Sequence, residues 1–334
     1  MPKRNFNDMT IECLSINDES HENMSVRLNG NSSILGKINR IVRLRVNSDG
    51  DGVRSVVFLQ NCHLTCIWCC NPETRFGGRF YEKETDELYE LIKRDIPHFD
   101  YSEGGVTFSG GEPLLQSDYI VEFAEKHPDI KNINIETSLY VDAEIIAKIA
   151  PYINEWIIDY KCHNEKSHIE YTGVSNGEIK RNLKWLANNI DKKKIHIAFP
   201  IIPGKNDSDE NVGNMISFIK DVGLSSVYLH PYRKKSESKY QKLNLGYEDI
   251  PLVPNERLFQ IQNMFGEYGI STSKRKVYVE KEKCRFLKDI REKICSDRNI
   301  DILFEECKYE GVCSGTCPKC ERELDKINEE YGRK

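Results

Sequence analysis

At 334 residues the chain is long enough for one large α/β domain or two smaller ones, and it can bury a core without disulfide staples. Its 48 Lys and Arg against 53 Asp and Glu leave a net charge of −5, and no block of like charges marks a nucleic-acid tail or a membrane-seeking face. No run approaches the roughly 18 apolar residues of a spanning helix, and the start MPKRNFNDMTIECLSINDES has no apolar stretch behind its basic residues, so a cytoplasmic protein without nucleic-acid or membrane partners is expected.

In chain order, residues 1–37 are polar and Asn/Ser-rich around NGNSS, and read as a hairpin or a loosely ordered leader. From 38 to 274 short β-branched runs alternate with amphipathic stretches, the pattern of repeated βα units. SVVFLQ (55–60), GGVTFSG (104–110), INIETS (133–138), EWIIDYK (155–161), KIHIAFPII (194–202) and SVYLHPY (226–232) read as strands. ETDELYELIKRDI, SDYIVEFAEKH, DAEIIAKIAPYI and NGEIKRNLKWLANNI read as helices, several opened by an Asp, Ser or Asn cap. Six such units fit an incomplete barrel or an open doubly wound sheet. The expected fold is the first, an α/β partial (βα)6 TIM-like barrel of parallel strands. Residues 275–334 change to a charged, cysteine-bearing composition and form a small C-terminal Cys-rich extension.

Nine of the twelve cysteines gather at two places, Cys62 to Cys70 and Cys295 to Cys320. In a reducing compartment such clusters read as metal or iron–sulfur ligands. Directly after the first core strand, Cys62, Cys66 and Cys69 stand in a CxxxCxxC loop whose close thiolates suit iron–sulfur chemistry. Three ligands on a four-iron cluster leave one iron open. The alternative on spacing alone is a closed zinc site with Cys70 or His63 as fourth ligand.

The loop belongs to an ordered series. Asp49-Gly50-Asp51-Gly52-Val53-Arg54 precedes it, Cys70-Asn71-Pro72-Glu73-Thr74 ends it, and GGVTFSGGEPLLQ follows. Then come Trp156-Ile157-Ile158-Asp159-Tyr160-Lys161, Tyr171-Thr172-Gly173-Val174-Ser175-Asn176 and Ile201-Ile202-Pro203-Gly204-Lys205-Asn206-Asp207. From about Ile38 to Ser273 the chain thereby resembles the radical S-adenosylmethionine (radical SAM) superfamily. More narrowly, it resembles the pyruvate formate-lyase activating enzyme and other glycyl-radical-enzyme activases.

The resemblance implies a [4Fe–4S] cluster on Cys62, Cys66 and Cys69, with SAM beside it. Ser109, Gly110, Gly111 and Glu112 form the loop that receives the amino group of SAM, and Lys161 with its neighbours holds its carboxylate. Glu136, next to Thr137, and Asp159 hold the ligand or a monovalent cation, although Glu136 stands where the activases carry Asp. Arg233 occupies the position of a histidine that follows Pro-Tyr in the activases, and His230 is the substitute for a ribose contact. Without the resemblance, Gly110-Gly111 is an ordinary turn and Asp159–Lys161 an ion pair at the barrel rim. The implied partners are a flavodoxin or ferredoxin-type electron donor and a protein substrate. The implied chemistry is reductive cleavage of SAM to a 5′-deoxyadenosyl radical, which takes hydrogen from a backbone glycine of a partner enzyme.

Cys307, Cys313, Cys317 and Cys320, spaced x5, x3 and x2, can close a second site, either an auxiliary [4Fe–4S] cluster or zinc. Cys284 and Cys295 lie upstream, and Cys13, Cys70 and Cys162 read as ordinary cysteines. The simplest activases lack such a module, which is familiar from radical SAM enzymes that modify peptides. Three readings follow: an activase of a glycyl radical enzyme, a peptide or protein maturase using the tail cluster, and a non-enzymatic zinc protein.

Overall fold

A computed structural model describes residues 33–75, 78–234, 236–273, 280–304 and 316–331. One sheet carries β1 (Gly36–Val46), β2 (Val53–Leu59), β3 (Tyr81–Lys83), β4 (Gly105–Gly110), β5 (Ile133–Thr137), β6 (Glu155–Asp159), β7 (Ile195–Ile201), β8 (Ser226–Pro231) and β9 (Ser271–Ser273). Their spatial order is β3-β1-β2-β4-β5-β6-β7-β8-β9. β1 is antiparallel to β2 and β3, and every pairing from β2 through β9 is parallel.

From β2 onward the parallel strands follow one another in chain order, so the sheet has no switch point of the doubly wound kind. Each crossover advances in the same direction, which curls the sheet towards a barrel. The outermost strands β3 and β9 are not neighbours, so the barrel is incomplete. All six strands expected from sequence are present, and β1, β3 and β9 extend them.

The helices are α1 (Thr85–Ile92), α2 (Ile96–Ser102), α3 (Ser117–Lys126), α4 (Ala143–Ile149), α5 (Glu165–Thr172), α6 (Gly177–Asn189), α7 (Asp209–Asp221), α8 (Glu237–Lys242), α9 (Asn255–Glu267), α10 (Glu280–Arg298) and α11 (Pro318–Tyr331). The single helical pattern over 84–96 is divided by a tight turn at Lys93–Asp95, because Pro97 sits in the first turn of α2, where its missing N–H costs nothing. Side-chain caps open α5 and α7: Asn164 accepts the Ser167 N–H and Ser208 accepts that of Asn211.

Every residue of β2 is buried, as expected of a parallel strand covered on both faces. The main core joins the sheet, through Val57, Phe108, Ile135, Ile158, Ile197 and Leu229, to helix residues such as Phe123, Leu183, Ile216 and Ile261. A second apolar cluster joins Leu44, Val46 and Val53 to Leu287, Ile290, Ile294 and Ile327 of α10 and α11. Beside it, Arg43 on β1 and Asp95 form an ion pair at 2.5 Å with side chains 3% and 0% exposed. Ser55 donates to the same carboxylate at 2.7 Å and Glu321 of α11 lies 3.2 Å from Arg43. A buried pair needs such extra partners to offset its desolvation.

Candidate active site at the carboxyl ends of the strands

The cysteine loop leaves β2 through Asn61, whose φ is +82°. Asn61 N–H donates to the Thr74 carbonyl at 2.8 Å, and the Asn61 carbonyl accepts from Glu112 N–H at 2.7 Å. Farther along, Thr65 N–H donates to Thr172 O at 2.7 Å and Ile67 N–H to Tyr171 O at 3.0 Å. The Tyr171–Asn176 motif therefore acts as a backbone splint for the loop. Gly173, at φ +81°, ends α5, and a Cβ there would stand 2.3 Å from Thr65 Oγ1. Leu64, Cys66 and Trp68 are buried in a small cluster with Ile202 and Tyr232, against which Cys62 and Cys69 pack.

The three thiols open onto a cleft of about 250 Å³ whose floor is made by the ends of successive strands: Ser109 and Gly110 of β4, Glu136 and Thr137 of β5, Asp159 of β6, Ala198 and Pro200 of β7, and His230 of β8. Burial pushes the Cys62 thiol up to about 11 and Cys66 up to about 12, and it also raises Cys69. Lys161 faces them. Burial alone would lower its pKa, but Asp159 and then the Cys66 thiolate outweigh burial and the net shift is upward. Lys161 and Asp159 form the rim ion pair.

The two glycines of Ser109-Gly110-Gly111 are there for close approach. A Cβ on Gly110, whose φ is +115°, would meet the Leu59 backbone at 2.4 Å, and one on Gly111 would meet Asn61 O at 2.0 Å and Cys62 Cβ at 3.3 Å. Three soft thiols beside a glycine cradle are a donor set that fits an iron–sulfur cluster and an adjoining ligand. Ser109 Oγ donates to Glu136 at 2.8 Å.

Glu112 is turned away from the cleft. Its carboxylate accepts from Ser138 N–H at 2.9 Å, Ser138 Oγ at 2.6 Å, Thr137 Oγ1 at 2.5 Å and Leu114 N–H at 3.3 Å. Burial raises its pKa and these four donors oppose the rise. In this position it braces the end of β4 to the end of β5.

Lys161 is held from behind by buried asparagines. Asn206 donates to Lys161 O and Pro200 O, both at 2.6 Å, and accepts from Ile202 N–H at 2.8 Å. Asn211 accepts from the N–H groups of His163 and Asn164, both at 2.9 Å. Asn176 donates to Cys162 O at 3.0 Å and His163 O at 2.8 Å. These contacts account for the Tyr171–Asn176 and Ile201–Asp207 motifs as scaffolding.

Of the site residues expected from sequence, Cys62, Cys66, Cys69, Ser109, Gly110, Gly111, Glu136, Thr137, Asp159, Lys161 and His230 line the cleft, whereas Glu112 and Arg233 do not. Arg233 lies beyond the end of β8 and is exposed. Cys317 and Cys320 lie elsewhere, next to and within α11, with Cys320 buried and accepting from Arg291 Nη2 at 3.6 Å. Cys307 and Cys313 lie outside the described residues. Sequence reasoning passed over Asn71, Arg75 and Ser138, which also line the cleft. Asn71 lay in a quoted motif, Arg75 directly follows it, and Ser138 ends the strand INIETS. Cys70, taken as an ordinary cysteine, lines the cleft as well.

The family model for the radical SAM superfamily matches residues 56–216. Over 289 residues the chain is 32% identical to the 4-hydroxyphenylacetate decarboxylase activating enzyme of Clostridioides difficile (strain 630), covering 67% of this chain and 91% of that one. It is 32% identical over 245 residues to the pyruvate formate-lyase-activating enzyme of Clostridium pasteurianum, covering 70% and 98%. Among solved structures, a radical SAM methyltransferase from Sphaerobacter thermophilus shares the fold at a TM-score of 0.50 and 16% identity, covering 66% of each chain.

Proposed function

We infer the function of this chain from its family: it belongs to the radical SAM superfamily, as an enzyme similar to glycyl-radical-enzyme activating enzymes. That membership implies a [4Fe–4S] cluster and SAM as cofactors and removes the non-enzymatic zinc reading. We propose that the chain activates a glycyl radical enzyme by taking a hydrogen atom from a backbone glycine of that partner. The observation that carries this reading is the opening of Cys62, Cys66 and Cys69 onto one cleft shared with Gly110, Gly111 and Lys161.

In this reading Cys62, Cys66 and Cys69 hold the cluster, and a small flavodoxin or ferredoxin-type protein reduces it. When bound together, cluster and SAM supply a 5′-deoxyadenosyl radical by reductive cleavage. The chain's own residues bind and orient. Gly110 and Gly111 let the methionine part of SAM lie against the backbone, and Lys161 pairs with its carboxylate while Asp159 keeps the lysine charged. Glu136 and Asp159 are the acids available to the SAM amino group or a monovalent cation, and His230 replaces Arg233 as the candidate ribose contact. Glu112, whose carboxylate is taken up by Thr137, Ser138 and Leu114, is assigned the role of holding the β4 and β5 ends in register.

The four C-terminal cysteines are proposed to hold a second iron–sulfur cluster or zinc. They also keep the maturase reading as the second choice. The test uses the reconstituted enzyme, SAM, a reductant and a glycyl radical enzyme from the same genome carrying α-deuterated glycine. Deuterium in 5′-deoxyadenosine is expected, with a glycyl EPR signal that is a doublet on the unlabelled partner and collapses to a singlet on the deuterated one. Deuterium-free product without any glycyl radical signal favours the maturase.

A further inference from the structure

Tyr240 lies on α8 and is 4% exposed, yet its hydroxyl has no hydrogen-bond partner among the described residues. A buried hydroxyl left unpaired costs about 1–3 kcal/mol, so an unfilled acceptor position beside it requires an explanation. Two contacts fix the ring. Its neighbour Lys239 pins α8 to the cysteine loop, donating to Cys70 O at 2.8 Å and reaching Glu73 at 2.6 Å. Tyr247 packs against the Tyr240 ring at 5.5 Å between centroids and 64° between planes. The Tyr247 hydroxyl is already paired with Tyr232 at 2.8 Å.

After burial itself, the groups that act on the Tyr240 hydroxyl are Cys69, Arg75, Cys66 and Cys70, in that order, with a net upward shift that keeps the O–H intact. Arg75 carries only donors. Among the described residues no acceptor lies within hydrogen-bond distance of the hydroxyl, while Lys239 ties its helix to the cysteine loop, whose Cys69, Cys66 and Cys70 are its sulfur-bearing electrostatic neighbours.

We propose that Tyr240 donates a hydrogen bond to sulfur on the Cys69 side of the cluster and thereby raises the cluster's reduction potential. A donor at sulfur stabilises the more negative, reduced state, one of the protein's means of setting such potentials. The inference rests on the radical SAM reading of the loop. It gives α8 a role at the cluster, since Lys239 fixes the loop's backbone and Tyr240 its electronics.

The test is a potentiometric titration, followed by EPR of the reduced cluster, of anaerobically reconstituted wild type, Tyr240→Phe and Tyr247→Phe. With equal iron and sulfide, Tyr240→Phe has the lower midpoint and is several-fold less reduced at the potential that half-reduces wild type. Tyr247→Phe titrates with wild type. Coincident midpoints for wild type and Tyr240→Phe overturn the proposal. If Tyr240→Phe takes up less iron, replacement of Tyr240 alone by 3-fluorotyrosine, a stronger donor of the same shape, moves the midpoint upward, and an unmoved midpoint overturns the proposal instead. A wild type with no reducible four-iron signal defeats the functional reading itself, which is a separate outcome.

Discussion

Lys161 turns back two residues to pair with Asp159 at the carboxyl end of β6, with 11% of the lysine side chain exposed. Such a buried cation is held charged by its neighbours and is preorganised for a carboxylate ligand. Lys161→Ala is expected to weaken SAM binding to the cluster-loaded protein roughly tenfold to a hundredfold, the loss of one charge-assisted hydrogen bond. Equilibrium dialysis with labelled SAM checks this, and unchanged affinity removes Lys161 from the ligand site.

Asn206 is wholly buried and its amide closes three backbone groups. Asn206→Ala leaves those groups unpaired at about 1–3 kcal/mol each. A loss of stability of about 3 kcal/mol or more in urea unfolding of the cluster-free protein is expected, with SAM affinity falling in parallel because Lys161 loses its anchor.

Gly173→Ala forces an L side chain into φ +81° and against Thr65. The conformational penalty alone is about 1–2 kcal/mol. The strain falls on the splint between Thr172 and the cysteine loop, so the variant is expected to bind less iron per chain on reconstitution. Iron and sulfide analysis reads this directly.

His98 on α2 is fully buried, and burial, followed by Arg291 and Arg43, depresses its pKa to about 3. The folded state thus binds the proton more weakly than the unfolded chain, whose ordinary value is 6.5. Its contribution is complete above the unfolded value and is lost as pH falls from about 6.5 towards 3, by about 1.4 kcal/mol per unit. Denaturant unfolding of wild type and His98→Leu across that range should show a shallower acid loss in the variant, and parallel curves would contradict this.

The barrel was legible because its six inner strands are short apolar runs bounded by turn signals, as in SVVFLQ and INIETS. β1 was not, since GKINRIVRLRV carries three arginines that a sequence reading assigns to solvent. In the fold Arg40, Arg43 and Arg45 meet Glu73, Asp95 and Asp49, partners distant or irregular in sequence. The cysteine loop was legible from spacing, and its glycine cradle only through the family resemblance, since Gly110-Gly111 alone reads as an ordinary turn. The inward turn of Glu112 was not, because it depends on Thr137 and Ser138 arriving from another strand. His230 and Arg233 differ only by where β8 ends, and sequence fixes strand ends poorly.

The central claim is tested most directly by anaerobic reconstitution with iron and sulfide, then dithionite and SAM, with 5′-deoxyadenosine followed by chromatography. Wild type is expected to form it, and a Cys62→Ala, Cys66→Ala, Cys69→Ala triple variant to form none. Fully reconstituted wild type that makes no 5′-deoxyadenosine, or a triple variant that makes as much as wild type, would contradict the account.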